Sequence, residues 1–295
     1  MRKPIEFEYL LNTFMDTITT HDFFVDWNKV KINLRKVERL LHLLNYLIGK
    51  ENFKEEFFSL LKEYPEVIQA FPILIAIRND KIQVLNEKVE IEVVHFKKYK
   101  NLSDEEIERY YRFFRETGLE EIFKNRNIKN LVDYVFGIEV GLDTHARKNR
   151  VGILMEKIIE AEIKSLIAKY NYIDYIYQAD VNKIKNKWNI SIVIDKTDRK
   201  FDFAILNTKN NKLFLIEVNF YSGQGSKLKA TAGEYISLNN FLKGKNKNVE
   251  FLWITDGKGW LSVKNALLEA YNNCVLILNL RAVREGYLEK IVANT

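Results

Sequence analysis

The chain is nearly free of cysteine, poor in proline and short of long apolar runs, and each shortage excludes something. Its 295 residues contain one cysteine, Cys274, so no internal disulfide framework can form and a reducing compartment is expected. Cys274 lies in the apolar run CVLILNL and reads as a core residue. The four histidines, His21, His42, His95 and His145, stand far apart and have no cysteine partners, which argues against a Cys/His zinc site. Runs such as FPILIAI fall well short of the roughly 20 apolar residues a membrane helix needs, and MRKPIEFEYL has no signal-type apolar segment. A soluble, cytoplasmic protein without membrane association is therefore expected. The three prolines come with many Ile, Lys and Asn, a bias that produces no repeat and no low-complexity segment.

What the chain has is a mild excess of positive charge: 46 Lys and Arg against 40 Asp and Glu give a net charge of +6 and a pI near 9.0. Polyanionic partners are compatible with that balance but not demanded by it. The length suits one large domain or two modest ones. Residues 1–140 read as mainly helical. In DWNKVKINLRKVERLLHLLNYLIG the apolar positions recur at helical spacing, with Asp26 placed to cap and Gly49 to stop. ENFKEEFFSLLKEYP repeats the pattern up to Pro65, KIQVLNEKVEIEVVHF alternates like a hairpin about Asn-Glu, and SDEEIERYYRFFRETG opens on a capping box from Ser103 to Glu106.

From residue 141 to 295 the pattern changes. GILMEKIIEAEIKSLIAKY predicts one long helix, followed by strand-like runs in YIDYIYQADV, ISIVI, KFDFAIL and LFLIEVNFY. Then helix and strand alternate through KATAGEYISLNNFLKG, VEFLWIT, SVKNALLEAYNN and CVLILNL, before a final helix from Arg281. Successive strands imply antiparallel pairing and the later alternation implies parallel pairing. The expected fold class is α/β: a mixed sheet flanked by helices, after a mainly helical N-terminal region.

Two acids sit where strands normally carry aliphatics. Folding FDFAILNTKNNKLFLIEVNF about the polar turn NTKNNK makes the numbers of cross-strand partners sum to 419, which sets Asp202 opposite Glu217. Directly opposed like charges destabilise a sheet. Alternation places Asp202, Ala204 and Leu206 on one face with Leu213, Leu215, Glu217 and Asn219. A hard divalent cation would turn that repulsion into a site, because Mg2+ accepts one or two carboxylates together with waters and phosphate oxygens. The alternative is a solvated strand end, or pairing with a lysine such as Lys200. Bound beside a phosphate, such an ion supports phosphodiester hydrolysis.

Asp202, Glu217 and Asn219 thus resemble the PD-(D/E)xK nuclease motif, and the longer stretches EVNFYSGQGSKLKATAGEY and GLDTHARKNRVG resemble the type II restriction endonucleases of the DpnII/MboI group, over most of the chain. The resemblance implies a restriction-endonuclease-like core in residues 141–295 and a Mg2+-dependent homodimeric enzyme. It would cut double-stranded DNA on the 5′ side of the guanine in GATC, alongside a protecting methyltransferase. One position departs from the general motif, since Asn219 stands where a lysine is usual. Lys227 and Lys229 are candidates to supply its charge, and Lys227 is assigned a catalytic role. Glu156 and Glu160, four apart on the long helix, offer a third acid at the metal, with pairing to Lys157 or Lys164 as the alternative; Glu156 is assigned to the metal with Asp202 and Glu217.

GLDTHARKNRVG collects His145, Arg147, Lys148, Asn149 and Arg150 in a short segment, read as a loop. Such side chains grip phosphates and, as Arg to guanine or Asn to adenine, read bases. SGQGSK is too short for a phosphate-binding P-loop. Its glycines suit a backbone that approaches DNA, with Ser226 and Lys229 added to the contact set. Other readings of the same core are a structure-specific or repair nuclease and a catalytically inactive DNA-binding protein.

Overall fold

In the computed structural model, which describes residues 4–85, 89–97, 99–145, 147–273 and 275–293, the chain forms two units. One comprises residues 21–147; the other joins residues 1–20 to residues 148–295. Cys274 and part of the turn between the first two strands lie outside the described residues.

The unit of residues 21–147 is mainly helical. Asp26 caps the helix Trp27–Leu44 by accepting the Lys29 N–H at 3.0 Å, and Gly49 ends that region at φ +73°. The helix Phe53–Glu63 stops ahead of Pro65. The helix Asp104–Glu116 begins on the expected capping box, in which Ser103 and Glu106 satisfy one another's backbone N–H groups. These helices enclose an aromatic cluster of Phe53, Phe57, Phe71, Phe114 and Phe123, all fully buried, each worth about 1.5–3 kcal/mol in removal from water. Strands β1 (Lys81–Leu85) and β2 (Ile91–His95) form an antiparallel hairpin beside them.

The second unit is built on a five-stranded mixed sheet of β3 (Ile173–Ala179), β4 (Phe201–Asn207), β5 (Lys212–Phe220), β6 (Val249–Asp256) and β7 (Leu276–Leu278), in that order. Pairing is antiparallel from β3 to β5 and parallel from β5 to β7, so the sheet changes character at β5. The β4–β5 hairpin keeps the predicted register, from Asn207 opposite Lys212 to Phe203 opposite Ile216.

Two expectations fail, one through a distant side chain and one through a glycine. ISIVI forms no strand: the Asn246 side chain accepts the Val193 N–H at 3.0 Å and donates to the Val193 carbonyl at 2.9 Å, taking the place of a neighbouring strand. The final helix is broken into Leu280–Arg284 and Tyr287–Ala293 at Gly286, whose φ is +82°.

Residues 1–20 side with the sheet although the whole of the other unit, residues 21–147, intervenes before the chain returns to it. Ile5, Leu10 and Phe14 are buried in the sheet's core. The buried Asp256 carboxylate, at the end of β6, accepts backbone N–H groups from Met15 at 2.7 Å, Gly257 at 2.6 Å and Leu280 at 2.9 Å. Gly257, at φ +106°, follows at once, and a Cβ there would lie 2.2 Å from the Tyr221 carbonyl oxygen. Gly257→Ala therefore combines backbone strain with a main-chain clash and is expected to destabilise the unit by about 2–3 kcal/mol. A thermal melt of this variant matching the wild type would refute that reading of the turn.

Candidate active site

Asp202 and Glu217 stand on adjacent central strands, one residue beyond the last paired positions of the hairpin. Asp202 turns one oxygen, Oδ2, onto the Val218 N–H at 2.8 Å, so the backbone of β5 itself holds it in place. Glu217 Oε2 accepts the Tyr235 hydroxyl at 3.1 Å, from the helix Ser226–Lys245. That helix covers the Glu217 face of the sheet, where Tyr235 meets Phe251 and the fully buried Trp253 edge to face.

Burial dominates the electrostatics. It raises the Asp202 carboxyl to about 6, with the Glu156 charge adding to the effect, and raises Glu217 to about 8, with the Asp202 charge adding to it. Among the described residues neither acid forms an ion pair. Arg199 is the cation whose charge lowers Glu217, but its guanidinium is bound to Asp195 at 2.6 Å and to Glu234 at 2.9 Å.

Asn219, the position that departs from the motif, accepts the Trp253 indole N–H at 2.6 Å through Oδ1. That bond leaves the amide NH2 as a donor. Trp253 thus holds Asn219, and Tyr235 separately holds Glu217. The asparagine fixes a neighbouring indole; a neutral amide supplies no positive charge.

The two acids of the long helix are separated by their partners. Glu160 bonds Lys164 at 2.9 Å and the Tyr175 hydroxyl at 2.8 Å. Glu156 accepts the Tyr177 hydroxyl at 2.9 Å and the Gln178 amide at 3.0 Å, and the same Gln178 Nε2 lies 3.4 Å from Asp202 Oδ1. Asp202, Glu217 and Glu156 therefore belong to one neighbourhood. Sequence reading missed Gln178 and Tyr235. A tyrosine nine residues into the helix after the glycine loop, on its apolar stripe, looks like core, and nothing in YIDYIYQADV marks Gln178.

Ser226, Lys227 and Lys229 occupy the exposed first turn of the helix Ser226–Lys245. Among the described residues no hydrogen bond or ion pair joins either lysine to the acids. The basic segment differs from the expected loop: it is helical, the helix Leu131–His145 being followed by Arg147–Lys169, so Gly141 and Gly152 lie inside helices rather than bracketing a loop. Within the unit 21–147, Arg147 donates to the Phe24 carbonyl at 3.0 Å, and the buried Asp143 accepts the Asp26 N–H at 2.9 Å. Arg150 also stands on a helix; the side chains of His145, Lys148 and Asn149 lie outside the described residues.

The mixed sheet thus carries two partly buried carboxyl groups side by side on its central strands. The DpnII restriction endonuclease family model matches residues 6–290, and the chain belongs to that family. It is similar to the type II restriction enzyme MjaIII of Methanocaldococcus jannaschii, 62% identical over 98% of this chain and 100% of the relative. LlaDCHI of Lactococcus lactis subsp. cremoris is 40% identical over 97% of this chain and 96% of its own length. DpnII of Streptococcus pneumoniae is 36% identical over 99% of this chain and its own full length. No helix among the described residues is long and apolar enough to cross a membrane.

Proposed function

We propose that this protein hydrolyses double-stranded DNA at GATC in a Mg2+-dependent reaction, working as a cytoplasmic homodimer that recognises the palindrome symmetrically beside a methyltransferase that protects host sites. The observation that carries the chemistry is the partly buried pair Asp202 and Glu217, whose carboxyls are both pushed up and have no ion-pair partner among the described residues. A divalent cation relieves that conflict, and the donor set, carboxylate oxygens on two adjacent strands, fits a hard ion. Among the described residues no three His, Cys, Asp or Glu side chains form a ready-made cage. Mg2+ needs none, because it keeps several waters and completes its shell with substrate phosphate.

Asp202 and Glu217 would hold the ion, with Glu156 as the third acid. When bound, the metal polarises the phosphoryl oxygen and lowers the pKa of the attacking water. Tyr235 and the Val218 N–H orient the two carboxylates, and Asn219 is itself held by the Trp253 indole. Lys227 is assigned the charge at the scissile phosphate that the motif lysine would carry. Arg147, Lys148, Asn149 and Arg150, with His145, Ser226 and Lys229, are assigned to DNA contact, on helices rather than a loop.

The test is digestion of methylated and unmethylated plasmid, with Mg2+ or with chelator, followed by sequencing of the ends. Discrete fragments ending 5′ of the guanine in GATC, formed only with the metal, are expected. Cutting at junctions or lesions irrespective of sequence would assign a structure-specific nuclease, and DNA binding without cleavage in Mg2+ or Mn2+ would assign an inactive binding protein.

A further inference from the structure

Gln178 has a backbone that a strand residue does not normally adopt. It sits in β3 opposite Asp202, between the pairs Tyr177–Phe203 and Ala179–Phe201, and at its position the ladder is interrupted. Its φ is +48°, in the left-handed region, where a side chain with a Cβ is disfavoured. Such a conformation persists only when its surroundings impose it, and these outliers cluster at functional sites. Here the Lys183 ammonium holds the Gln178 carbonyl at 2.8 Å.

The result is a displaced side chain. Strict alternation would put Tyr177 and Gln178 on opposite faces of the sheet, yet both reach Glu156, at 2.9 Å and 3.0 Å. The Gln178 amide nitrogen is also the donor nearest Asp202 Oδ1, at 3.4 Å. One NH2 group thus spans a carboxylate from the long helix and a carboxylate from the central hairpin. It is the single side chain that links the two by hydrogen bonds among those described.

We propose that Gln178 is a positioning residue of the metal site: its carboxamide keeps Glu156 and Asp202 side by side, so that the helix acid and the strand acid present themselves to a divalent cation together. The inference rests on the reading that these acids bind the metal. The donor offsets the repulsion between the carboxylates in the metal-free protein, and the left-handed turn brings it within reach of both.

Gln178→Gly separates the two parts of the device, because glycine accepts φ +48° freely while the amide is lost. Binding of Mn2+ in the absence of DNA is followed by the electron paramagnetic resonance of the free ion. The Gly variant is expected to bind Mn2+ about 10- to 100-fold more weakly than the wild type, the usual effect of removing a partner that orients a ligand. In the metal-free protein the lost hydrogen bonds and the relieved backbone strain oppose one another, so its melting temperature should stay close to the wild type's. In cleavage, the Mg2+ concentration for half-maximal rate should rise by a similar factor, while the rate at saturating Mg2+ falls less than about threefold. Gln178→Asn keeps an amide but shortens its reach, and should behave like the Gly variant; it also carries the comparison if Gln178→Gly does not fold. Mn2+ affinity within about twofold of wild type in the variants overturns the positioning role and leaves the metal site standing. A wild-type protein that takes up no Mn2+ overturns the metal reading, and this inference with it.

Discussion

Glu217→Gln and Asp202→Asn should each lower the rate of DNA cleavage by roughly three orders of magnitude or more, since a catalytic metal is worth several kcal/mol of transition-state stabilisation and each ~1.4 kcal/mol is tenfold. The substitutions are nearly isosteric. The amide oxygen introduced at position 202 would still accept the Val218 N–H, and the one at position 217 the Tyr235 hydroxyl, bonds that hold the wild-type side chains at 2.8 Å and 3.1 Å. Folding and most of the DNA affinity should therefore survive. Circular dichroism and a binding assay on uncleaved DNA check both points. Cleavage near the wild-type rate in either variant would mean that the two acids do not hold the metal.

The second large effect is on stability and can be read without DNA. Burial holds the Glu217 carboxyl at about 8 and Asp202 at about 6 in the folded protein, whereas in the unfolded chain both titrate near about 4. Between those values the folded state keeps protons that the unfolded state has released. Stability is therefore fully present below about pH 4 as far as these groups are concerned, and is lost as pH rises through about 6 and then about 8. Each unit of displacement corresponds to ~1.4 kcal/mol, reduced here because water reaches part of the site. The metal-free protein is expected to melt roughly 5 °C lower at about pH 8.5 than at about pH 5. Fluorescence of the buried Trp253 and Trp260 reports the sheet unit. Glu217→Gln should flatten the slope, and saturating Mg2+ should remove most of it by binding the ionised pair. A wild-type melting temperature independent of pH over this range would show that Glu217 is not held protonated by burial.

The central hairpin was legible in the sequence because its rules are local. A side-chain period of two and a polar turn fix a register, and the pairs from Phe203–Ile216 to Asn207–Lys212 follow it. The mixed sheet was legible for a similar reason, since short and long connections between strands distinguish antiparallel from parallel pairing. ISIVI was misread because its composition is that of a strand and its actual partner, Asn246, is far away in the chain. The basic segment was misread as a loop because Gly141 and Gly152 look like breaks, yet the helices run through both. Gln178 could not be found from its neighbours at all. Its importance arises from a left-handed backbone opposite Asp202 and from the placement of Glu156, both products of tertiary structure.

The Asp256 carboxylate has a consequence for the order in which the chain assembles. It gathers the N–H groups of Met15, Gly257 and Leu280, so its three donors emerge from the ribosome far apart in time. Residues 21–147 form a contiguous unit that can collapse as soon as it is made. Residues 1–20, although synthesised before residues 21–147, have no acceptor for Met15 until residue 256 appears, and the clasp is incomplete until residue 280 follows. At about 5–20 residues per second that is a wait of tens of seconds at the slower rate. Residues 1–20 thus settle later than the unit of residues 21–147 that is made after them.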